Sequence, residues 1–215
     1  MAYLTPKSLM IHIPKTGGSW CFCAMKAAGI NITEPFLKNA KTVVESRHCG
    51  IHSVLKLVQD KLTFSFIRHP FTWVRSQWCY SCDREAYKTW KSTDKFWVAR
   101  CWSADFKTFI HNVLEQYSTA PTIGMLGRIG FHKRPAKGWQ PDEHTVKFIG
   151  RTENLREDLC KALTMAGEEF DQKVIYEMPA VRASKTQPNH SIPKKLYRLI
   201  EQANAPLMHI WESRM

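Results

Sequence analysis

The sequence predicts one α/β domain with a central, mostly parallel sheet flanked by helices. Three short apolar runs do not alternate with polar residues, as is typical of strands buried on both faces; they are residues 8–13, 62–67 and 146–150. Helical patterns lie between and after these runs, and strands that alternate with helices form α/β sheets. The 215 residues are enough for one domain with its own core.

Four helices are predicted from the spacing of apolar residues: 18–28, 103–117, 153–167 and 191–204. Ser103 and Asn154 are the predicted N-caps, and Gly29 and Gly167 mark predicted C-terminal ends. Residues 118–144 are rich in Gly, Pro and basic residues. This composition predicts a long loop, which is either a lid or substrate loop or a surface excursion.

Composition limits the classes of function and the location. Lys and Arg number 31 against 19 Asp and Glu, and the formal charge of +12 attracts nucleotides, sulfated or acidic substrates, nucleic acid or membrane surfaces. No segment reaches the ~20 apolar residues of a membrane span, and the N-terminal run is too short for a signal peptide. Seven cysteines, an odd number, predict reduced thiols in a cytoplasmic protein. Cys79 and Cys82 have the spacing of half a zinc site without a second pair, so we expect buried thiols rather than a metal.

The stretch 12–20 (HIPKTGGSW) follows the first predicted strand and opens the first predicted helix. Helix N-termini bind phosphate through unpaired N–H groups, and Gly17 and Gly18 let the main chain approach an anion closely. Lys15 adds a mobile positive charge, and the hydroxyls of Thr16 and Ser19 add donors. In a Walker A loop the lysine follows the last glycine, so this loop either holds a different anion or is an ordinary strand–helix turn.

Two further segments follow the other predicted strands. Arg68 ends the second strand, where a guanidinium can make paired hydrogen bonds to phosphate, and Ser76 lies on the helix that follows. Residues 148–159 close the third strand and open another helix. In this order, HIPKTGGS, FIRHPFTWVRS and FIGRTENLREDL resemble the motifs of sulfotransferases that use 3′-phosphoadenosine 5′-phosphosulfate (PAPS). The resemblance is greatest to the carbohydrate branch, the relatives of heparan sulfate 2-O-sulfotransferases and their short bacterial or viral counterparts.

The resemblance covers residues 8–210 and implies a P-loop-like three-layer fold. It implies that the first loop cradles the phosphosulfate with Lys15, Thr16, Gly17, Gly18, Ser19 and Trp20. Lys15 would neutralise the charge that builds on the bridging oxygen, and Arg68 and Ser76 would bind the 3′-phosphate. The sequence departs from the family at His69, where Asn or Asp is usual, and at Trp73, which replaces a second arginine.

Further residues follow from the resemblance. Arg151 would help to shape the cofactor site, with Glu153 as its ion-pair partner. Arg182 and Lys185 would contact the nucleotide, or else belong to a solvated basic loop.

A hydroxyl acceptor needs a base that works near neutral pH, and histidine is suited to it. Related bacterial sequences have a histidine opening the helix before the second strand, which here is His52. His48 is the second candidate, and each is alternatively a surface or capping histidine. His12, inside the first predicted strand, is expected to be packed.

We therefore expect transfer of a sulfuryl group from PAPS to a hydroxyl of a carbohydrate or glycoconjugate, with no metal, leaving adenosine 3′,5′-bisphosphate (PAP). A small-molecule or nucleotide kinase is the alternative enzyme, although its GK[ST] loop and metal-binding aspartate are not in place. A basic nucleic-acid-binding module is the alternative from another class, and it predicts steep salt dependence. The leading interpretation includes no nucleic-acid partner and no stable membrane insertion.

Overall fold

The computed structural model describes residues 2–33, 50–57, 60–85, 88, 97–181, 184–188 and 192–213. These residues form the strands β1 (Ala2–Leu4), β2 (Ser8–Ile11), β3 (Leu62–Ile67), β4 (Phe131–Arg134), β5 (Gly138–Pro141) and β6 (Phe148–Arg151). The main sheet has the order β1-β2-β3-β6, and β4 and β5 form a separate antiparallel pair. Strands β2, β3 and β6 are parallel, as predicted, whereas the edge strand β1 is antiparallel to β2 and was not predicted.

The helices are α1 (Gly18–Ala27), α2 (Pro70–Asp83), α3 (Trp97–Cys101), α4 (Phe106–Gln116), α5 (Ala120–Leu126), α6 (Leu155–Ala166), α7 (Gln172–Glu177), α8 (Lys194–Ala203) and α9 (Ala205–Glu212). Within the described residues, Ile51–Leu57 and Thr152–Asn154 are 3₁₀ helices. None of the helices in the described residues is long and apolar enough to cross a membrane.

Helices cover both faces of the main sheet, so the predicted α/β class is confirmed. On one face, Met10, Phe64 and Phe66 pack with apolar side chains of α1, α6 and α7. On the other face, Ile11 and Ile67 pack with apolar side chains of α2, α4 and α8. Successive strand residues alternate between the two faces, and both faces are apolar, which explains why the predicted strands read as continuous hydrophobic runs.

Helix ends were predicted with mixed success. Ser103 is not the N-cap of α4; Asp105 is, and its carboxylate accepts a hydrogen bond from the Thr108 N–H at 2.8 Å. Asn154 precedes α6 as predicted but forms no side-chain capping bond. Gly167 ends α6 in the left-handed conformation, with φ of 72°, as the sequence predicted.

Residues 118–144 are not an irregular loop, which corrects the sequence prediction. They contain α5 and the β4–β5 hairpin. The segment is attached to the domain where Asn204 accepts hydrogen bonds from the N–H and hydroxyl of Thr122, at 3.0 and 2.8 Å. A role as a lid stays a prediction.

Candidate functional site

The candidate site lies where the three parallel strands end. Ile11 is paired with Ser65, and Ile67 with Arg151, so the carboxyl ends of β2, β3 and β6 meet at one edge of the sheet. Ligands of open α/β sheets bind at this edge. The three segments singled out in the sequence all pass through this edge.

Direct bonds join these segments. Arg68 donates from Nη1 to the carbonyl oxygen of Lys15 at 3.1 Å, which connects the second segment to the first. The N–H of His69 donates to Glu153 Oε1 at 3.2 Å, which connects the second segment to the third. Lys15 and Glu153, which are 138 residues apart in the chain, therefore belong to one continuous arrangement of segments.

The first loop presents the N-terminus of α1 to the cleft. Lys15 and Gly17 have φ of 69° and 85°, so the chain turns sharply before α1 begins at Gly18. Gly17 is required by its φ, whereas Gly18 is required because a Cβ there would lie 2.1 Å from the His12 ring. Both glycines and Ser19 line the cleft, as expected for an anion cradle at a helix N-terminus.

Lys15 is the cation of this loop. Its Nζ lies 4.0 Å from the centre of the Tyr80 ring, on α2. Burial, followed by the repulsion of Arg68, lowers the pKa of Lys15 from 10.5 to about 8. A bound anion would oppose both effects and favour the protonated amine.

Thr16 and Trp20 use their polar groups for hydrogen bonds within the protein rather than for the predicted anion cradle. Thr16 is fully buried, and its hydroxyl donates to the Ile13 carbonyl at 2.9 Å, so it closes the turn rather than facing the cleft. Trp20 lines the cleft but is 6% exposed, with Nε1 bonded to the Pro179 carbonyl at 3.0 Å. The Arg156 guanidinium lies 5.3 Å from the Trp20 ring and also lines the cleft.

Arg68 and Ser76 both line the cleft. Arg68 also donates from Nε to the hydroxyl of Thr72 at 3.1 Å. Its two bonds hold the guanidinium in place while using two of its five N–H groups, which leaves N–H groups for an anion.

The basic segment near residue 185 also reaches the cleft. The N–H groups of Lys185 and Thr186 donate to the Asp83 carboxylate at 3.0 and 2.8 Å, which fixes this segment at the end of α2. Lys185 lines the cleft, while Arg182 lies outside the described residues.

The two departures from the family pattern have structural partners of their own. Trp73 is buried, donates from Nε1 to the Pro14 carbonyl at 2.8 Å and stacks on Trp97, so it holds the first loop by its backbone. His69 is buried as well, with Nε2 3.0 Å from the Glu201 carboxylate. Trp73 and His69 therefore both have hydrogen-bond partners that hold them at this edge of the sheet.

Arg151 lies behind the cleft rather than in its wall. It is 8% exposed, its N–H donates to Asp158 at 2.8 Å, and its guanidinium lies 5.2 Å from the Trp211 ring. Glu153, the expected ion-pair partner, accepts instead from the indole N–H of Trp211 at 3.0 Å. The contribution of Arg151 to the site is therefore to support the third segment.

The cleft has a volume of about 1970 Å³ and a basic wall. Among the described residues that line it, seven are Lys or Arg and four are Asp or Glu. The cations are Lys15, Arg68, Arg75, Arg84, Arg128, Arg156 and Lys185. Tyr80 and Arg156 were not predicted from the sequence, although Tyr80 follows Ser76 by four residues on one helix face and Arg156 stands in the first turn of α6.

The predicted base His52 is not brought to the described cleft wall. His48 lies outside the described residues. His52 is absent from the described cleft wall, and its Nε2 lies 3.1 Å from the Asp142 carboxylate. His12 does line the cleft, but it is 7% exposed and packed between Tyr3 and Gly18, in agreement with the expectation that it is packed.

In comparisons with known proteins, the chain matches no family model, no curated protein and no solved structure.

Proposed function

We propose that the chain is a PAPS-dependent sulfotransferase whose acceptor is a hydroxyl of a carbohydrate or glycoconjugate. One observation carries the proposal. The Lys15 loop at the N-terminus of α1 and Arg68 at the end of β3 share one basic cleft and are joined by a hydrogen bond. PAPS carries anionic groups at two ends, the 5′-phosphosulfate and the 3′-phosphate, and two adjacent cationic binding points suit such a molecule. The succession of β2, the turn with positive φ at Lys15 and Gly17, and α1 also supports a P-loop-like fold.

The donor side of the reaction follows from the first loop. The N–H groups at the start of α1 would bind the phosphosulfate oxygens, and protonated Lys15 would lie beside the bridging oxygen. As the acceptor oxygen bonds to sulfur, the bond from sulfur to the bridging oxygen breaks, and charge builds on that oxygen. Lys15 would stabilise this charge, which is the largest expected contribution of the protein to catalysis besides positioning.

The 3′-phosphate would be bound by Arg68 and Ser76, with Lys185 close to the same cleft. The cleft wall also includes Trp97 and Tyr117, side chains of the kind that stack on sugar rings. His52 belongs to a different cluster and His48 lies outside the described residues. The proposal therefore rests on the donor side and assigns no base.

Thermal unfolding with nucleotides tests the binding step. PAP should raise the melting temperature clearly more than AMP or ATP, because only PAP engages both anion points and binds the folded state. Arg68→Ala should remove this preference. Arg84→Ala is the matched control, because it removes one positive charge from the same cleft wall without touching the end of β3.

The other possible results would contradict the proposal or favour a different function. Equal shifts with PAP and AMP would remove the argument for a 3′-phosphate site, and a larger shift with ATP would favour the kinase. Equal losses in Arg68→Ala and Arg84→Ala would mean that only net charge matters. Binding of DNA or RNA with a steep salt dependence, and no preference for PAP, would favour the nucleic-acid module.

Transfer itself is tested with labelled PAPS and a panel of hydroxyl-bearing saccharides. Lys15→Ala should abolish label transfer while the protein stays folded. Unimpaired turnover in Lys15→Ala would contradict the assignment of the loop.

A further inference from the structure

We propose that His52, His132 and Asp142 form a binding site for a divalent transition-metal ion of the Zn²⁺ type. The site does not rest on the proposed sulfuryl transfer, because none of the three residues is among the described residues of the cleft wall. His52 lies in the 3₁₀ helix Ile51–Leu57, His132 on β4, and Asp142 directly after β5. A metal ion would therefore connect the chain that leads into β3 with the β4–β5 hairpin.

Three potential ligand atoms converge in this cluster. Nε2 of His52 and Nε2 of His132 are 3.1 Å apart, and they lie 3.1 and 2.6 Å from Oδ2 of Asp142. A circle of about 1.7 Å radius passes through these atoms, so one ion can lie about 2.1 Å from all three, the usual length of Zn–N and Zn–O bonds. Two imidazole nitrogens and one carboxylate oxygen are donors that suit zinc and its neighbours in the first transition row.

As hydrogen-bond partners alone, the same three atoms are crowded. Each neutral Nε2 either donates a proton or offers a lone pair. If both histidines donate to Asp142, two N–H dipoles lie side by side; if one does not, its lone pair faces the carboxylate oxygen. Either arrangement brings two like groups close together, whereas a cation between the atoms is attracted by all three lone pairs.

The carboxylate is held in place by its surroundings. Its Oδ1 accepts from the N–H of His144 at 2.8 Å, which turns Oδ2 towards the two histidines. The N–H of Asp142 donates to the Gly130 carbonyl at 3.0 Å and to the Thr145 hydroxyl at 2.9 Å. Bonds of this kind orient the ligands of metal sites.

The cluster is open to ions from solvent. The side chains of His52 and His132 are 39% and 51% exposed, and that of Asp142 is 14% exposed. His144 is a neighbour but not a fourth ligand, since its ring centre is 5.9 Å from that of His52 and its Nε2 faces Glu143 at 3.3 Å. Water would complete the coordination of the ion.

The test uses the full chain, without a histidine tag and stripped by a chelator. Titration calorimetry with ZnCl₂ should give one site per chain, and CoCl₂ should give the visible absorption bands of bound Co²⁺. At a free Zn²⁺ concentration of 100 times Kd, the melting temperature should rise by about 5–10 °C.

Variants separate this site from unspecific binding. His132→Ala and Asp142→Asn should lose the stoichiometric binding and the rise in melting temperature. His144→Ala is the matched control, because it removes an exposed histidine next to the cluster but keeps the backbone N–H that bonds to Asp142, and it should bind like the unchanged protein. Asp142→Asn preserves the side-chain shape, so its melting temperature without metal reports whether folding is intact.

Two outcomes overturn the proposal. One is the absence of stoichiometric binding in the unchanged chain. The other is binding that His132→Ala, Asp142→Asn and His144→Ala all retain, or all lose equally.

Discussion

The pKa of Lys15 predicts a specific dependence of ligand affinity on pH. Lys15 is half-buried beside Arg68, and its pKa is lowered to about 8, so in the free protein it loses its proton between pH 7 and 9. An anionic ligand favours the protonated form, so affinity is present below pH 8 and falls as the pH rises through it.

The magnitude follows from the fraction of protonated lysine. If only the protonated form binds PAP, a pKa of about 8 makes Kd about tenfold larger at pH 9 than at pH 7. A lysine with the ordinary pKa of 10.5 would change Kd by only about 3% over this range. The phosphate groups of PAP do not interfere, because their second pKa is about 6.

Titration calorimetry with PAP from pH 7 to 9 at constant ionic strength measures the effect. Lys15→Arg is the matched control, since a guanidinium keeps its charge throughout this range, and its Kd should not vary with pH. Lys15→Met should bind weakly at every pH. A wild-type Kd that is constant from pH 7 to 9, or a parallel change in Lys15→Arg, would refute the reasoning.

Two substitutions test how the first loop is built. Gly17→Ala should lower the melting temperature more than Gly29→Ala. Both positions have positive φ, a conformation that costs Ala about 1–2 kcal/mol. Only at Gly17 would the new Cβ also meet a side chain, Leu155 Cδ2 at 2.6 Å. Equal decreases in melting temperature would mean that the Leu155 side chain moves away from the new Cβ without a cost in stability. Trp73→Phe should weaken PAP binding and cost about 0.5–1.5 kcal/mol of stability, because the carbonyl of Pro14 loses the indole N–H at 2.8 Å. Unchanged calorimetric affinity and thermal unfolding would show that this bond does not hold the loop.

Local sequence patterns predicted most of the main sheet. The runs that became β2, β3 and β6 were recognisable because strands buried on both faces are continuously apolar. Strand β1 was missed because its three residues, Ala2–Leu4, are too few for a pattern, and its pairing with β2 forms it. Residues 118–144 were misread because α5 has Pro and Gly within it and the hairpin strands have only four residues each.

The candidate site was predictable where a residue's role depends on its distance from a strand end. Lys15, the two glycines and Arg68 each follow a parallel strand closely, so the sheet itself brings them together. The direction in which a side chain points, by contrast, does not follow from its distance to a strand end. Thr16 therefore turns to the Ile13 carbonyl, and Arg151 lies under Trp211 although it stands at the end of a strand.

The sequence by itself determined the α/β class, the three strand–loop segments and the order of the motifs on which the proposed function rests. These features are set within about 15 residues of chain, through hydrophobic periodicity, glycine and the start of a helix. Only the tertiary structure decided which distant groups meet: Arg68 with the Lys15 carbonyl, and His52 with Asp142 rather than with the cleft. Such contacts depend on how a 3₁₀ helix and a hairpin pack across 90 residues of chain, and no local pattern encodes that packing.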